Sequence, residues 1–426
     1  MAARDSYRGS QNHSHRSDSS GYSGRQSNSS YSSDHQGRPS SGSGRQSSGS
    51  SRNSGPARNS GNYSGSSRSS GQRRFNDEPR ESTLNELTSH LHAIDGRSYA
   101  AYKAIVGRYR SPLGWVLYID RIQPDPYAPP TAIRVVLPLA LTGAAASLTA
   151  SLTRAVALRD YLARTLRELL KGQAISIAPA GQEILERSSV NLHETWQDDF
   201  STPAFNAPGP YLELRLRWSL PAFGREIAGR QAARNLNLDL ARAVAGLDLR
   251  ESELGAEAWK HCQVAEDHAA LQEILVERGW VAFLADGANL ARRSGVSQLP
   301  LEGGVPLTAP ETLAQTVHLP HAGPVRGTAI PAGVTVIAGG GYHGKSTLLN
   351  AIARGIYPHI PGDGRELVAT VPEAMAVRAA DGRAVTGVDL QPFISHLPGR
   401  DADPAQFTTA NASGSTSQAA SIMESL

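Results

Sequence analysis

Cysteine is nearly absent. Cys262 stands alone in 426 residues, so an internal disulfide and a cysteine zinc site are both excluded, and a reducing compartment is expected. We read the protein as intracellular, cytoplasmic or nuclear. Residues 1–30 contain no apolar run, which excludes a secretory signal there, although their Arg- and Ser-rich, acid-poor composition has something of an organelle transit peptide. Long runs free of charge are equally scarce. The one that reaches membrane-spanning length, Val135 to Thr153, is interrupted by Pro138, Gly143 and several Ser and Thr residues. It reads as strand, loop and helix start, and no membrane association is expected. Residues 1–74 lack lysine altogether and hold 26 Ser, 11 Gly, 11 Arg and 3 Asp, with only Met1 and four Tyr as bulky apolar groups. Such a tail cannot bury enough surface to order itself and is expected to be disordered. It carries about +8 while the whole chain carries +3, which leaves about −5 for the other 352 residues.

What is present, 39% hydrophobic residues over this length, suffices for at least one large core and excludes a wholly disordered, collagenous or disulfide-stapled protein. Behind a capping candidate at Ser82 or Thr83, the residues Leu84, Leu87, Leu91 and Ile94 recur at helical spacing. Trp115 to Ile122 and the string AIRVVL read as strands on either side of a proline cluster. A strong helix follows from about Thr149 to Leu170, then AISIA, then YLELRLRWSLPA. There Leu212, Leu214, Leu216 and Trp218 alternate with Glu213, Arg215 and Arg217, so this strand is expected to turn a wet, basic face outward. Helical patterns continue through GREIAGRQAARNLNLDLARAVAGL and AEDHAALQEILVERGW. The expected organisation is α/β in three parts: a disordered Ser/Gly/Arg-rich tail over 1–74, an α+β domain over 75–300, and a third part over 301–426. The boundary is placed at the Pro- and Gly-rich stretch from Gln298 to Pro310.

The third part carries the specific signal. Gly339, Gly340, Gly341, Tyr342, His343, Gly344, Lys345 and Ser346 fit the pattern G-x-x-x-x-G-K-[ST], with the β-branched string VTVIA before them as a strand and TLLNAIARGI after them as a helix. Glycines let the backbone curl so that successive N–H groups point inward, and the helix N-terminus adds its positive dipole end. Lys345 is placed to bridge the outer phosphates of a nucleoside triphosphate and Ser346 to ligate Mg2+, which makes a nucleoside triphosphate with Mg2+ the expected ligand. Tyr342 and His343 occupy variable positions of the loop and are read as capping or shielding the phosphates. Further on, Ser413, Gly414 and Ser415 precede a second run with helical propensity. Two readings fit them, an N-capping cluster or small residues that grip a phosphate from outside.

The strings GGGYHGKSTLLNAIARGIYPHIPGDGRE, RAADGRAV, DLQPFISHLP and ASGSTSQAASIMESL resemble, in order, the ATPases of the ABC class, a family of soluble proteins. IDRIQPDPYAPP, RDYLAR and LPAFGREI are similar to that family's N-terminal domain, so the resemblance spans about residues 82–426. It implies a P-loop nucleotide-binding fold of the ABC type behind a family-specific α/β domain. Gly339 to Thr347 would form the Walker A loop, Thr347 included. Ser413, Gly414 and Ser415 would be the counterpart of the signature motif, acting in trans within a homodimer that sandwiches two ATP molecules. One departure lies at Ala380, where the family usually has an acidic residue before the aspartate; Asp381 and Arg383 remain. A second is that no Walker B strand follows the signature helix before Leu426, so the P-loop domain is expected to be incomplete. Without that strand's acidic residues magnesium loses a ligand and the attacking water its carboxylate. This chain is then expected to bind ATP weakly with negligible turnover, hydrolysis being an expectation for the full-length family member.

A different class of function also fits. Arginines interspersed with Tyr7, Tyr22, Tyr31 and Tyr63 suit loose RNA contact by the tail, while a solubilising or phosphorylatable linker has the same composition. Arg215, Arg217, Arg225, Arg230 and Arg234 would extend a basic surface. On this alternative the protein binds RNA and its nucleotide site is structural or regulatory.

Overall fold

Alternation of apolar and polar residues builds the first sheet of the computed structural model, which describes residues 80–206, 208–250, 252–397 and 403–426. The tail expected to be disordered over 1–74 lies outside the described residues. The strands are β1 (Arg80–Thr83), β2 (Gly107–Arg110), β3 (Val116–Arg121), β4 (Thr131–Pro138), β5 (Ile175–Ser176), β6 (Val190–His193) and β7 (Tyr211–Trp218). Their order is β1, β2, β3, β4, β7, β5, with β6 also paired to β7; β1 and β2 run parallel and the other pairs antiparallel.

Leu212, Leu214, Leu216 and Trp218 of β7 point into the main core. They meet there the apolar stripes of α1 (Leu84–Ala93) and α2 (Leu152–Leu169). The same core takes in a helical run made of α3 (Gly229–Arg234), a π-helical stretch Asn235–Leu240, and α4 (Ala241–Ala245). The first helix starts where it does because Thr83 and Glu86 cap each other. The Glu86 N–H donates to Thr83 Oγ1 at 3.3 Å, and the Thr83 N–H donates to Glu86 Oε2 at 2.9 Å. The long uncharged run divides as its composition suggests, into β4, two short 3-10 turns and the start of α2, whose N-cap is Ser151. Among the described residues no helix is long and apolar enough to cross a membrane.

The wet face expected on β7 is only half realised. Arg215 and Arg217 are exposed, but Glu213 and Tyr211 are buried, because the segment 194–206 folds across that end of the sheet. Trp196, Phe200 and Phe205 pack there on Val116, Tyr118, Val136 and Tyr211. Periodicity along one strand carries no information about a loop that returns to cover it.

A ribbon of β8 (Ala222–Phe223) and β9 (Glu226–Ile227) precedes the helices α3 and α4, and the long helix α5 (Glu253–Arg278) follows them. A second sheet then forms from β10 (Trp280–Ala285), β11 (Ala314–Leu319), β12 (Gly323–Pro331) and β13 (Val368–Thr370), in the antiparallel order β11, β12, β10, β13. Alternate residues of β10 face opposite ways. Phe283 and Ala285 join Leu271 and Leu275 of α5, while Leu284 meets α6 (Lys345–Arg354) together with Val368 and Ile330. In this sheet β10, which precedes residue 300, is bonded to β12 on one side and β13 on the other.

Val334 to Ala338, expected as a strand before the phosphate loop, is not one. No neighbour pairs with it among the described residues, and Val334 and Val336 are 97% and 81% exposed. Strand character needs a ladder partner, which a β-branched string cannot supply by itself. The chain ends in a ribbon of β14 (Val385–Val388) and β15 (Phe407–Thr409), packed with α7 (Gly414–Met423) around Val385, Leu390, Ala412, Ala419 and Ala420.

Candidate functional site

The glycine-rich loop curls as its composition dictates. Positive φ angles occur at Gly339 (153°), Tyr342 (62°) and Gly344 (79°), and α6 begins at the next residue, Lys345. Alternation between left- and right-handed backbone turns successive N–H groups toward one concavity, a shape suited to an anion. Among the described residues Tyr342 is the one non-glycine with positive φ, and its side chain is fully exposed. A tyrosine in that conformation costs on the order of 1–2 kcal/mol, and no packing of its ring offsets this. The curl is kept against that cost. Gly344 is the N-cap of α6 and offers no side-chain acceptor to the helix's first N–H groups, so these point free toward the loop.

Lys345 is half-buried and its Nζ donates to the Gly340 carbonyl, so the ammonium already lies across the loop. The His343 ring lies over Gly340, where a Cβ would meet it at 3.1 Å. Ser346 is exposed and Thr347 half-buried in the first turn of α6. The loop thus brings the uncapped N–H groups of α6 and one ammonium together, with the hydroxyl-bearing Ser346 and Thr347 in the same turn. That donor set fits a polyphosphate.

Ser413 is the N-cap of α7, but its side chain accepts no hydrogen bond from that helix's backbone. Its hydroxyl pairs with those of Ser415 and Thr416, at 3.3 and 3.0 Å. The first turn of α7 therefore also keeps its N–H groups uncapped, with Ser413 and Ser415 exposed. Gly414 packs closely on the segment before it: a Cβ there would stand 3.0 Å from Asp381 Oδ1, and the carboxylate would have to shift. The 379–383 segment is laced to α7, since the Ala380 N–H donates to Ser417 Oγ at 3.2 Å and Arg383 pairs with Glu424 at 2.7 Å. The loop and α7 belong to different cores, one around Leu284 and Val368 and the other around Val385 and Leu390. Arg378, donating to Asn350 Oδ1 at 3.1 Å, ties the segment before Asp381 to α6. Among the described residues no cluster of three or more His, Cys, Asp or Glu side chains is arranged to hold a metal.

Two further polar constellations gather residues from distant segments, the first of them around the basic face expected from Arg215 and Arg217. On the open end of the first sheet, Asp120, Arg121, Arg134, Arg215 and Arg217 line a groove of about 450 Å³. Arg134 grips Asp120 with both arms, at 2.8 and 2.7 Å, and stacks 4.7 Å over Tyr118. Burial raises the pKa of Glu213, but donors from Arg215, His193 and Asn191 overcome this and hold it below the ordinary carboxylate range. Arg121 and Arg217 have no carboxylate partner among the described residues. The second constellation is centred on Asp160 of α2, fully buried. Burial opposes its charge, yet hydrogen bonds from His261, Arg164 and Arg187 hold its pKa at about 2. Its partners come from sites up to 101 positions away, which no local pattern brings together.

Two family models match the chain. Residues 84–247 match the model described as the N-terminal domain of the ATPases of the ABC class, and residues 255–426 match the P-loop domain model of the ABC ATPases. A protein of Methanocaldococcus jannaschii named only as uncharacterized is 28% identical over 164 residues, covering 37% of this chain and 36% of that protein. The chain thus spans little more than a third of the length of the curated relative it matches.

Proposed function

Because the chain belongs to the ATPases of the ABC class, we propose that Gly339 to Thr347 bind the triphosphate of ATP. The observation that carries this reading is the curl itself, retained at Tyr342 against its steric cost and opening onto the uncapped first turn of α6. In this reading the loop amides and Lys345 contact the phosphate oxygens. Lys345 exchanges the Gly340 carbonyl for phosphate at no cost in unpaired charge. Magnesium, when bound, screens the phosphate charge, and Ser346 is the chain's hydroxyl ligand for it. In this reading the P-loop part runs from about residue 255, behind an N-terminal part that ends near 247.

Ser413, Gly414 and Ser415 take the signature role and meet a nucleotide held by a second copy of the chain. The exposed hydroxyls and uncapped amides at the start of α7 support this. Titration calorimetry with magnesium-ATP tests the proposal: the chain is expected to bind, and Lys345→Ala to abolish binding. An absence of heat with folded protein, or equal binding by the variant, removes it.

A second reading, RNA contact by the N-terminal part, is favoured by one observation. The groove beside β7 presents Arg121 and Arg217 without carboxylate partners. Filter binding of single-stranded RNA by the chain and by Arg121→Ala/Arg217→Ala, at two salt concentrations, checks it. Equal retention of RNA by the double variant would exclude the groove.

A further inference from the structure

Helix α6 carries the phosphate loop on its N-terminus but is thinly anchored. Of its ten residues only Ala351 is fully buried; Leu348 and Ile352 are half-buried, and Leu349 is 55% exposed. With so little apolar area removed from water, its orientation depends on polar tethers, and these converge on its far end. His268 of α5 lies 2.9 Å from the Gly355 carbonyl, with Nε2 as donor. Thr370 of β13 donates its hydroxyl to the Ile352 carbonyl at 2.6 Å and its N–H to the Gly355 carbonyl at 2.8 Å. All of these come from α5 and β13.

One tether comes from the N-terminal part. Arg354, the last residue of α6, forms a salt bridge with Glu183, whose side chain is only 11% exposed. Beside it the two parts are stitched through the main chain: the Ile184 N–H donates to the Pro358 carbonyl at 2.7 Å and the Ile360 N–H to the Gln182 carbonyl at 2.9 Å. We propose that Glu183 is a positioning residue for the phosphate loop, fixing the orientation of α6 through Arg354 from outside the P-loop part. The proposal rests on the nucleotide reading of residues 339–347 and adds to it that the site is not autonomous.

Several features make Glu183 a firm post. Arg164 and Arg187 both donate to its main-chain carbonyl, each at 2.9 Å, and both arginines are in turn pinned by the buried carboxylate of Asp160. Gly181 leaves the space the side chain needs, since a Cβ there would stand 2.7 Å from Glu183 Oε2. Burial raises the Glu183 pKa, but its own backbone N–H and Arg354 outweigh that and keep it ionised. His359, paired with Glu183 across the β-bridge, is fully buried; desolvation and the Arg365 charge lower its pKa to about 4, so at neutral pH it brings no cation to compete with Arg354. The chain of contacts thus runs from α2 through Asp160, two arginines, Glu183 and Arg354 to the helix that opens on the loop.

Hydrogen–deuterium exchange of the nucleotide-free chain, with calorimetry of magnesium-ATP binding, tests this in Glu183→Ala, Arg354→Ala and the double variant. Each single variant is expected to speed exchange across 345–354 and to weaken ATP binding, both by roughly three- to tenfold, with α1 and β4 unchanged. The double variant is expected to do no worse than either single, because both remove one contact. Arg354 is 42% exposed on its side chain, so its variant is expected to fold and keeps the test open if Glu183→Ala does not. Unchanged exchange in α6, loosening spread equally over α1 and α2, or additive effects would overturn the proposal. Should the unaltered chain bind no ATP, the nucleotide reading fails, while the exchange data still decide whether Glu183 holds α6.

Discussion

Asp160→Asn should be among the most damaging polar substitutions in this protein, and its cost should fade in acid. The carboxylate is fully buried and receives Arg164, Arg187 and His261, the arginine Nε of Arg164 at 2.6 Å and the imidazole at 3.1 Å. Moving this carboxyl from 3.8 to about 2 corresponds to about 2.5 kcal/mol of stabilisation of its charged form. Asparagine removes that charge and turns an NH2 toward one of the donors, so a total loss of about 3 kcal/mol is expected. The sign follows from the depressed folded value. The contribution is complete above the unfolded pKa near 4 and is lost as pH falls toward 2. Urea denaturation followed by tryptophan fluorescence, run on both proteins from pH 7 to pH 3, reads it directly. The stability gap should be flat from pH 7 to about 5 and narrow below 4. A gap under about 1 kcal/mol at pH 7, or one as wide at pH 3 as at pH 7, would refute the account.

Other substitutions probe the backbone. In Gly229→Ala the new Cβ would lie 2.0 Å from the Leu91 carbonyl oxygen, so α3 and α1 must separate. A loss of about 2 kcal/mol or more in urea denaturation is expected. Tyr342→Gly relieves the left-handed strain but gives the unfolded chain more freedom, so stability should stay within about 0.5 kcal/mol, whereas Tyr342→Val, β-branched and stiff at a φ of 62°, should lower it by about 1–2 kcal/mol; equal melting temperatures of the two variants would contradict the strain argument. Thr83→Ala removes one side of the reciprocal cap on α1 and should cost about 1 kcal/mol, visible as faster amide exchange confined to the first turn of that helix.

The parts of this fold legible in the sequence are those fixed by neighbours in the chain. Helix α1 follows from apolar spacing and its cap at Thr83, α2 from apolar spacing, and α5 in its second half, while the start of α5 behind Ser252 has no such reading. The curl of the glycine-rich loop follows from Gly339 and Gly344, which take up positive φ, while Tyr342 shares that conformation against its steric preference. What escaped depends on contacts between distant segments. The same β-branched composition gives a paired strand at β4 and an unpaired, exposed segment at Val334 to Ala338, because only the first finds partners on both sides. The burial of Tyr211 is decided by Phe205 and its neighbours, which return from a loop. The bridge from Arg354 to Glu183 spans 171 positions, beyond the reach of any spacing rule.

The long helix α5 belongs to two interiors at once. Its first half places Ala258, Cys262 and Ala265 in the core of the seven-stranded sheet, and its second half places Leu271 and Leu275 in the core of the four-stranded one. Melting either interior strips one face of the same rod, so the two halves share a single fate on heating. A chain severed just before Glu253 would leave one fragment without a lid and the other with a greasy flank.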